Sequence, residues 1–396
     1  MAAVRGGDAV LMATLAQAPS RTDTSAPDTP RTPGPASASA SVRHLGPNWY
    51  ATVMGTAIVA NAGAVLPFAG PGARTVYQAV WALSVLMLLT LLAARTVHWV
   101  RHGDQARRQL LDPAVAPFYG CLAMALLAVG GGTLAVGRDV IGTPAAVAAD
   151  AVLWTAGTLT GLVGAAAIPY LMVTRHRIEP GSASPVWLLP LVAPMVSAAV
   201  GPALVAQLPA GQWQRALLLG CYALFGLSLL ATLLVLPLVL SRLIHHGPLP
   251  LALTPTLFLV LGPLGQSTTA VNNLADAAPG VVDPATAHAM GAFAVLYGVP
   301  VMGFALLWLA LATAMVVRAV RRGMGFSMTW WGFTFPLGTC VTGAAGLARH
   351  TGLHAFGWLA AALFAALVAA VGVAGTRTAV GLARGRLLAP PRPVTP

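Results

Sequence analysis

Lysine is absent from this 396-residue chain, glutamate occurs once, at Glu179, and charged residues make up only 8% of it. A soluble globular protein carries about three times that share of charge, so a domain dissolved in water is excluded. Chemistry is equally short of material. No acid-rich motif and no cysteine cluster occurs that would build a metal or diphosphate site, so no cofactor or metal is expected. The three cysteines, Cys121, Cys221 and Cys340, each lie inside an apolar run at no metal or redox spacing and read as small core residues. No Asp, Glu or Arg falls near the middle of any apolar run; Asp150 and Asp276 stand near the ends. Proton-coupled carriers usually keep an ionisable group inside the membrane, so that coupling has no evident group here.

What the chain does have is apolar length. Hydrophobic residues make up 57% of it. Ten runs read as spans over 49–66, 76–98, 115–136, 146–173, 186–207, 213–240, 250–274, 286–316, 327–347 and 354–375. A bilayer core takes about 20 apolar residues per helix, which predicts an all-α polytopic membrane protein. The 22 arginines lie mostly on one side of these spans. Arg43, Arg95, Arg101, Arg107, Arg108, Arg175, Arg177, Arg242, Arg318, Arg321, Arg322 and Arg377 share that side, against Arg74, Arg138, Arg215 and Arg349 on the other. The positive-inside rule then predicts both termini in the cytoplasm and an even number of spans in the cell membrane. The net charge of +12 is mostly this asymmetry, so no nucleic-acid partner is implied, while lipid headgroups are natural neighbours. Trp49, Tyr50, Trp330 and Trp331 open spans one and nine and read as interfacial anchors. His288 reads as interfacial too.

The organisation is a cytoplasmic tail over 1–45, a ten-span domain over 46–376 and a basic tail over 377–396. Residues 19–41, rich in Pro, Ser, Thr and Ala, read as disordered. The apolar patch 9–16 faintly resembles a signal peptide, but Asp8 intrudes and cleavage would leave the N-terminus outside, against the arginine count. A flexible tail, or a start codon placed too far upstream, is expected instead.

Helix breakers and polar groups alternate between spans. Odd spans carry Pro117 with Gly130–Gly132, then Pro190, Pro194 and Pro202, then Pro255, Gly262, Pro263 and Gly265, then Pro336 and Gly338. Even spans carry one proline or none. A proline inside a helix frees a carbonyl and bends the axis, which lipid tolerates only where protein or water satisfies the exposed groups. Odd spans are therefore predicted to line an interior and even spans to face lipid, as five helical hairpins, with kinks at Pro194, Pro263, Pro336 and Gly338. The same odd spans hold neutral polar faces: Thr52, Thr56 and Gly63; Gln266, Thr269 and Asn273 beside Ser267; and Phe335, Thr339, Thr342 and Gly346. Small residues at these spacings serve either close helix packing or a pore. Hydroxyls, amides and helix-end dipoles attract anions weakly, and weak binding suits throughput.

The run Met328-Thr329-Trp330-Trp331-Gly332-Phe333-Thr334-Phe335-Pro336 resembles the W-W-x-[FY]-[ST]-F-P signature of the tellurite-resistance/dicarboxylate transporter family. Gly46-Pro47-Asn48-Trp49-Tyr50 through Met54-Gly55-Thr56 is similar to that family's first helix, with Ala57 replacing a usual glycine. Gly262-Pro263-Leu264-Gly265-Gln266-Ser267 is similar to its seventh. The family includes plant slow anion channels, fungal malate permeases and sulfite exporters. The resemblance implies five hairpins around a quasi-five-fold pore, often in homotrimers, lined by odd helices and plugged by a phenylalanine of the ninth. That residue is Phe335 here. Phe333, about 200° around the helix, faces elsewhere. A long regulatory domain of the plant type is missing, so phosphorylation gating is not implied. The expected function is transport of small anions such as chloride, nitrate, sulfite, tellurite or malate. The expected path runs past Thr52, Thr56, Gln266, Ser267, Thr269, Thr339 and Thr342. A proton-coupled C4-dicarboxylate carrier is the alternative, and a membrane-embedded enzyme or sensor a remote one.

Overall fold

In lipid every backbone N–H and C=O must find a partner within the protein, which leaves helices as the form for apolar runs of this length. The computed structural model describes residues 42–66 and 72–388, and the expected tail up to 41 and residues 389–396 lie outside these. Ten principal helices follow one another, with no strand among the described residues. Five are long: α2 (Ala73–Arg101), α4 (Thr143–Thr174), α6 (Gln212–His246), α8 (Pro284–Arg321) and α10 (His354–Ala383). Five are short: α1 (Tyr50–Ala64), α3 (Gly120–Gly132), α5 (Leu188–Val200), α7 (Leu261–Ala277) and α9 (Thr334–Thr351). The tenth helix continues to Ala383, past the end expected at 375.

The short helices do not reach across a bilayer unaided. The 13 residues of α5 rise about 20 Å, against a hydrocarbon core of about 30 Å. Each odd helix is entered through a 3-10 segment: Pro47–Trp49, Ala116–Tyr119, Pro185–Trp187, Leu251–Val260 and Met328–Phe333. The tighter 3-10 turn gains about 2.0 Å per residue, so these segments supply the missing length. Pro47, Pro117 and Pro185 stand at the start of three of them, where a missing N–H breaks no bond. Pro194 lies inside α5 as expected. Pro263 and Pro336 do not kink a helix. Each is the third residue of its helix and stands in the first turn, where it marks the change from 3-10 to α.

The odd helices pack in a closed ring, in the order α1, α3, α5, α7, α9 and back to α1. Each even helix covers its own odd partner and the next one: α2 covers α1 and α3, α4 covers α3 and α5, α6 covers α5 and α7, α8 covers α7 and α9, and α10 covers α9 and α1. In α3 and α5 83% of the apolar window is buried, against 17–22% in the even helices. The exposed surface of the even helices is apolar, with Leu86, Leu89, Leu234, Leu296 and Leu307 turned outward. This inner–outer division is the one expected from proline and glycine.

Two glycines set the inner spacing. A Cβ on Gly265 would lie 2.5 Å from the Cys340 backbone nitrogen, so α7 and α9 touch backbone to backbone. A Cβ on Gly338 would lie 2.3 Å from Ile58 Cγ1. Gly338 thus admits α1 rather than bending α9. The aromatic residues at the helix entries differ from expectation as well. Trp49, Tyr50 and Trp331 are buried, and Trp331 Nε1 donates to Thr378 Oγ1 of α10 at 2.9 Å. They close the seams between hairpins instead of facing headgroups.

The arginine-rich end is held by Arg95, which is buried. Its Nη1 donates to the Leu45 carbonyl (2.5 Å) and Gln109 Oε1 (3.0 Å), and Nη2 donates to the Tyr119 hydroxyl (3.2 Å). His98 Nδ1 lies 2.9 Å from the Val42 carbonyl oxygen, so α2 fixes the segment leading into α1. At the opposite end Arg74 pairs with Asp139, and Arg349 with Asp276 at 2.8 Å. Two of the four arginines at this end are thereby neutralised, which sharpens the charge asymmetry read from the sequence.

Candidate functional site

A closed ring of five helices has one axis, and all five inner helices contribute to a constriction on it. Met54 of α1, Met124 of α3, Leu188, Leu189 and Val192 of α5, Leu259 and Gly262 at the entry to α7, and Phe335 and Pro336 of α9 enclose a cavity of about 10 Å³. That volume is at the threshold for a single water, so the axis is shut here. The closing surface is apolar, and Phe335 is its largest side chain, only 2% exposed. Phe333 takes no part. Its ring packs edge-on against Phe258 at 4.8 Å and lies 5.9 Å from Trp330.

All odd helices run the same way, so residues later in each lie nearer the arginine-poor end. Seven residues beyond Met54, on the same face and about 10 Å along, comes Asn61; seven beyond Met124 comes Gly131; seven beyond Gly262 and Phe335 come Thr269 and Thr342. Contacts join this layer. A Cβ on Gly131 would meet Val200 Cγ1 at 3.2 Å and Asn61 Nδ2 at 3.8 Å. Asn61 Nδ2 donates to the Ala128 carbonyl of α3 (2.9 Å), and Asn273 Nδ2 to the Ala199 carbonyl of α5 (2.8 Å). The Thr269 and Thr342 hydroxyls lie 2.7 Å apart. Beyond an apolar constriction the axis is thus surrounded by neutral amides and hydroxyls.

The residues expected along the path separate into groups. Gln266, Thr269 and Thr342 share the axial faces of α7 and α9. Thr339 is fully buried between these helices and donates to its own Pro336 carbonyl at 2.7 Å, a packing role. Ser267 is buried and donates to the Leu264 carbonyl at 3.0 Å, a bond within its own helix. Thr52 and Thr56 stand apart from the axis. They line a lateral apolar groove of about 860 Å³ with residues of α2 and α10. Their hydroxyls donate to the Trp49 and Thr52 carbonyls at 2.8 Å, the back-bonding that lets a threonine sit in an apolar wall.

Sequence reasoning missed three features. The constriction is built from methionine and leucine, which no composition marks as special. The repeated 3-10 entry had a signal: Pro47, Pro117, Pro185 and Pro255 are each followed within three residues by an aromatic ring, namely Trp49, Phe118, Trp187 and Phe258. Asp150 reads as terminal in the sequence, yet it is 1% exposed, and neither carboxyl oxygen has a hydrogen-bond partner among the described residues. It faces the inner ring, since a Cβ on Gly130 of α3 would meet its Oδ1 at 2.6 Å.

Ten helices in five hairpins around a closed axis, with apolar outer faces, define a multi-pass membrane protein of the channel and transporter class. The family described as "SLAC1: Voltage-dependent anion channel" matches residues 44–379, and the chain belongs to it. It is similar to the uncharacterized transporter MJ0576 of Methanocaldococcus jannaschii, 26% identical across 76% of this chain and 82% of that one. It is also similar to the sulfite efflux pump SSU1 of Arthroderma otae and to that of Trichophyton rubrum, each 26% identical across 78% of this chain and 83% of the relative.

Proposed function

We propose that the protein is a passive channel or exporter for small anions, that its path is the axis of the inner ring, and that Phe335 is the gate. The observation that carries this reading is the constriction to which all five inner helices contribute, with one aromatic ring as its largest side chain. A ring blocks ion and water together and needs no charge to do so. No charged side chain lines the constriction, and the groups beyond it are neutral donors of the kind that hold an anion weakly enough to release it. The similarity to fungal sulfite efflux pumps makes sulfite the first cargo to try, with chloride, nitrate, tellurite and malate beside it. The reading includes cytoplasmic termini in the cell membrane and a homotrimer. An anion-panel tracer flux into liposomes holding the purified protein tests it, and absence of flux with every anion would sink it.

A proton-coupled carrier is the second reading, and Asp150 favours it. An intramembrane carboxyl is a functional group by default, and this one is sealed against the inner ring. Flux measured with the cargo gradient held fixed while the pH gradient is varied separates the two. Coupling predicts flux that follows the pH gradient in the wild type and loses that dependence in Asp150→Asn.

A further inference from the structure

We propose that Gln266 is the selectivity group of the axial path and that it recognises a monoprotonated oxyanion, an ion carrying both an acceptor oxygen and an O–H donor. This rests on the anion-conduction reading above and deepens it. Gln266 is 4% exposed, and its Oε1 has no hydrogen-bond partner among the described residues. The three polar residues that directly follow it on α7 are each satisfied locally, and the next side-chain oxygen on this helix without a partner among the described residues is Asn272 Oδ1, six residues on. Ser267 and Thr268 donate to the Leu264 carbonyl and Thr269 to the Gly265 carbonyl, all at 3.0 Å. An unsatisfied amide in a membrane interior is costly, and a native protein that keeps one has a use for it.

Its position supplies the use. Gly262, four residues earlier, lines the constriction beside Phe335. Four residues are one turn, so Gln266 stands on that same face, about 6 Å toward the arginine-poor end. One turn further on, Thr269 and Thr342 bond to each other at 2.7 Å. Gln266 is therefore the first unsatisfied group on α7 that an ion passing the plug would meet.

The chemistry of the side chain then selects the ion. A carboxamide presents N–H donors and one acceptor oxygen. A halide or nitrate can take the donors but leaves Oε1 facing negative charge. A monoprotonated oxyanion gives an oxygen to the N–H group and its O–H to Oε1, so both ends of the amide are satisfied at once. Being neutral, the amide discriminates by hydrogen-bond pattern without holding the ion by net charge.

Hydrogencarbonate and nitrate are planar anions of similar size and equal charge that differ in the O–H. Reversal potentials across planar bilayers holding the purified full-length protein, with hydrogencarbonate, nitrate or chloride as the test anion at fixed pH, give the permeability ratios. The wild type is expected to favour hydrogencarbonate over nitrate about tenfold, the worth of one added hydrogen bond. Gln266→Leu should bring that ratio toward one, and Gln266→Asn, which keeps the carboxamide on a shorter stem, should retain part of it. A wild type that does not favour the O–H anion overturns the proposal, as does an unchanged ratio in Gln266→Leu. If Gln266→Leu fails to fold, Gln266→Asn decides, since a ratio equal to the wild type's there overturns the assignment. A wild type that passes none of the three anions removes the conduction reading itself, a result distinguishable from altered or unaltered selectivity.

Discussion

In the proposed function, Phe335 is the residue on which gating turns. Its ring is buried among Met54, Met124, Leu188 and Pro336, which by contacts alone resembles ordinary core. Removing a phenylalanine from sealed core costs about 3–5 kcal/mol. Here the space left by the ring would join the axial path and fill with water, so the loss should fall below that range. Phe335→Ala is therefore expected to raise basal anion conductance in liposomes with near-wild-type thermal stability. A destabilised variant without added conductance would return the ring to the core. Phe333→Ala is the control, because that ring packs on Phe258 and Trp330 away from the axis. A leak in that variant alone would show that the other ring is the gate.

Among the elements, the contacts of α9 with α7 and with α1 invite a comparison. Both are made by a glycine, but what an added methyl would strike differs. At Gly338 it strikes the Ile58 side chain, at Gly265 the backbone of Cys340. Gly338→Ala should cost about 1–3 kcal/mol by overpacking. The pair Gly338→Ala with Ile58→Ala should recover part of this, because the clashing atoms are gone. Gly265→Ala has no such partner, since a backbone nitrogen cannot be trimmed, and no single neighbouring truncation should restore it. Thermal unfolding in detergent reads both cases, and equal rescue at the two sites would contradict the assignment.

The loop entering α8 allows a pH test at the same scale. Asp283 is the N-cap, accepting from the Thr286 hydroxyl (2.7 Å) and the Thr286 backbone N–H (3.0 Å), and these bonds hold its carboxyl below the usual carboxylate range. A depressed pKa contributes stability that is present above the unfolded value and lost as pH falls through the folded one. Asp283→Ala should thus lower the melting temperature at neutral pH. The gap to wild type should close as pH falls below the usual carboxylate range, and a gap that stays constant into acid would mean that the cap contributes nothing through its charge.

For the whole molecule, the arginine asymmetry and the parallel run of the inner helices give one testable orientation. The loop between Asp276 and Asp283 lies at the arginine-poor end. A single cysteine introduced there, in a background with Cys121, Cys221 and Cys340 replaced, should react with an impermeant thiol reagent added outside intact cells. Labelling only after the membrane is opened would invert the topology.

Much of this was legible because a bilayer narrows what a sequence can do. Hydrophobic length gives the ten spans, and breakers on alternate spans separate the inner helices from the outer ones, while arginine placement gives an expected polarity that the labelling above tests. Each is a one-dimensional quantity that acts independently of tertiary contacts. The faces of single helices were harder to read. Thr52 and Thr56 repeat at one turn as a pore face would, yet the same spacing serves a threonine bonded to its own helix in a lateral groove, and only the neighbours α2 and α10 distinguish the two. Pro263 and Pro336 read as kinks until the 3-10 entries placed them in first turns. The constriction itself depends on which methionines, leucines and phenylalanine of five separate helices arrive at one height on one axis. The burial of Asp150 depends likewise on a glycine of a neighbouring helix leaving room for it. Such coincidences between distant segments are fixed by how the hairpins close into a ring, and no local pattern in the chain records them.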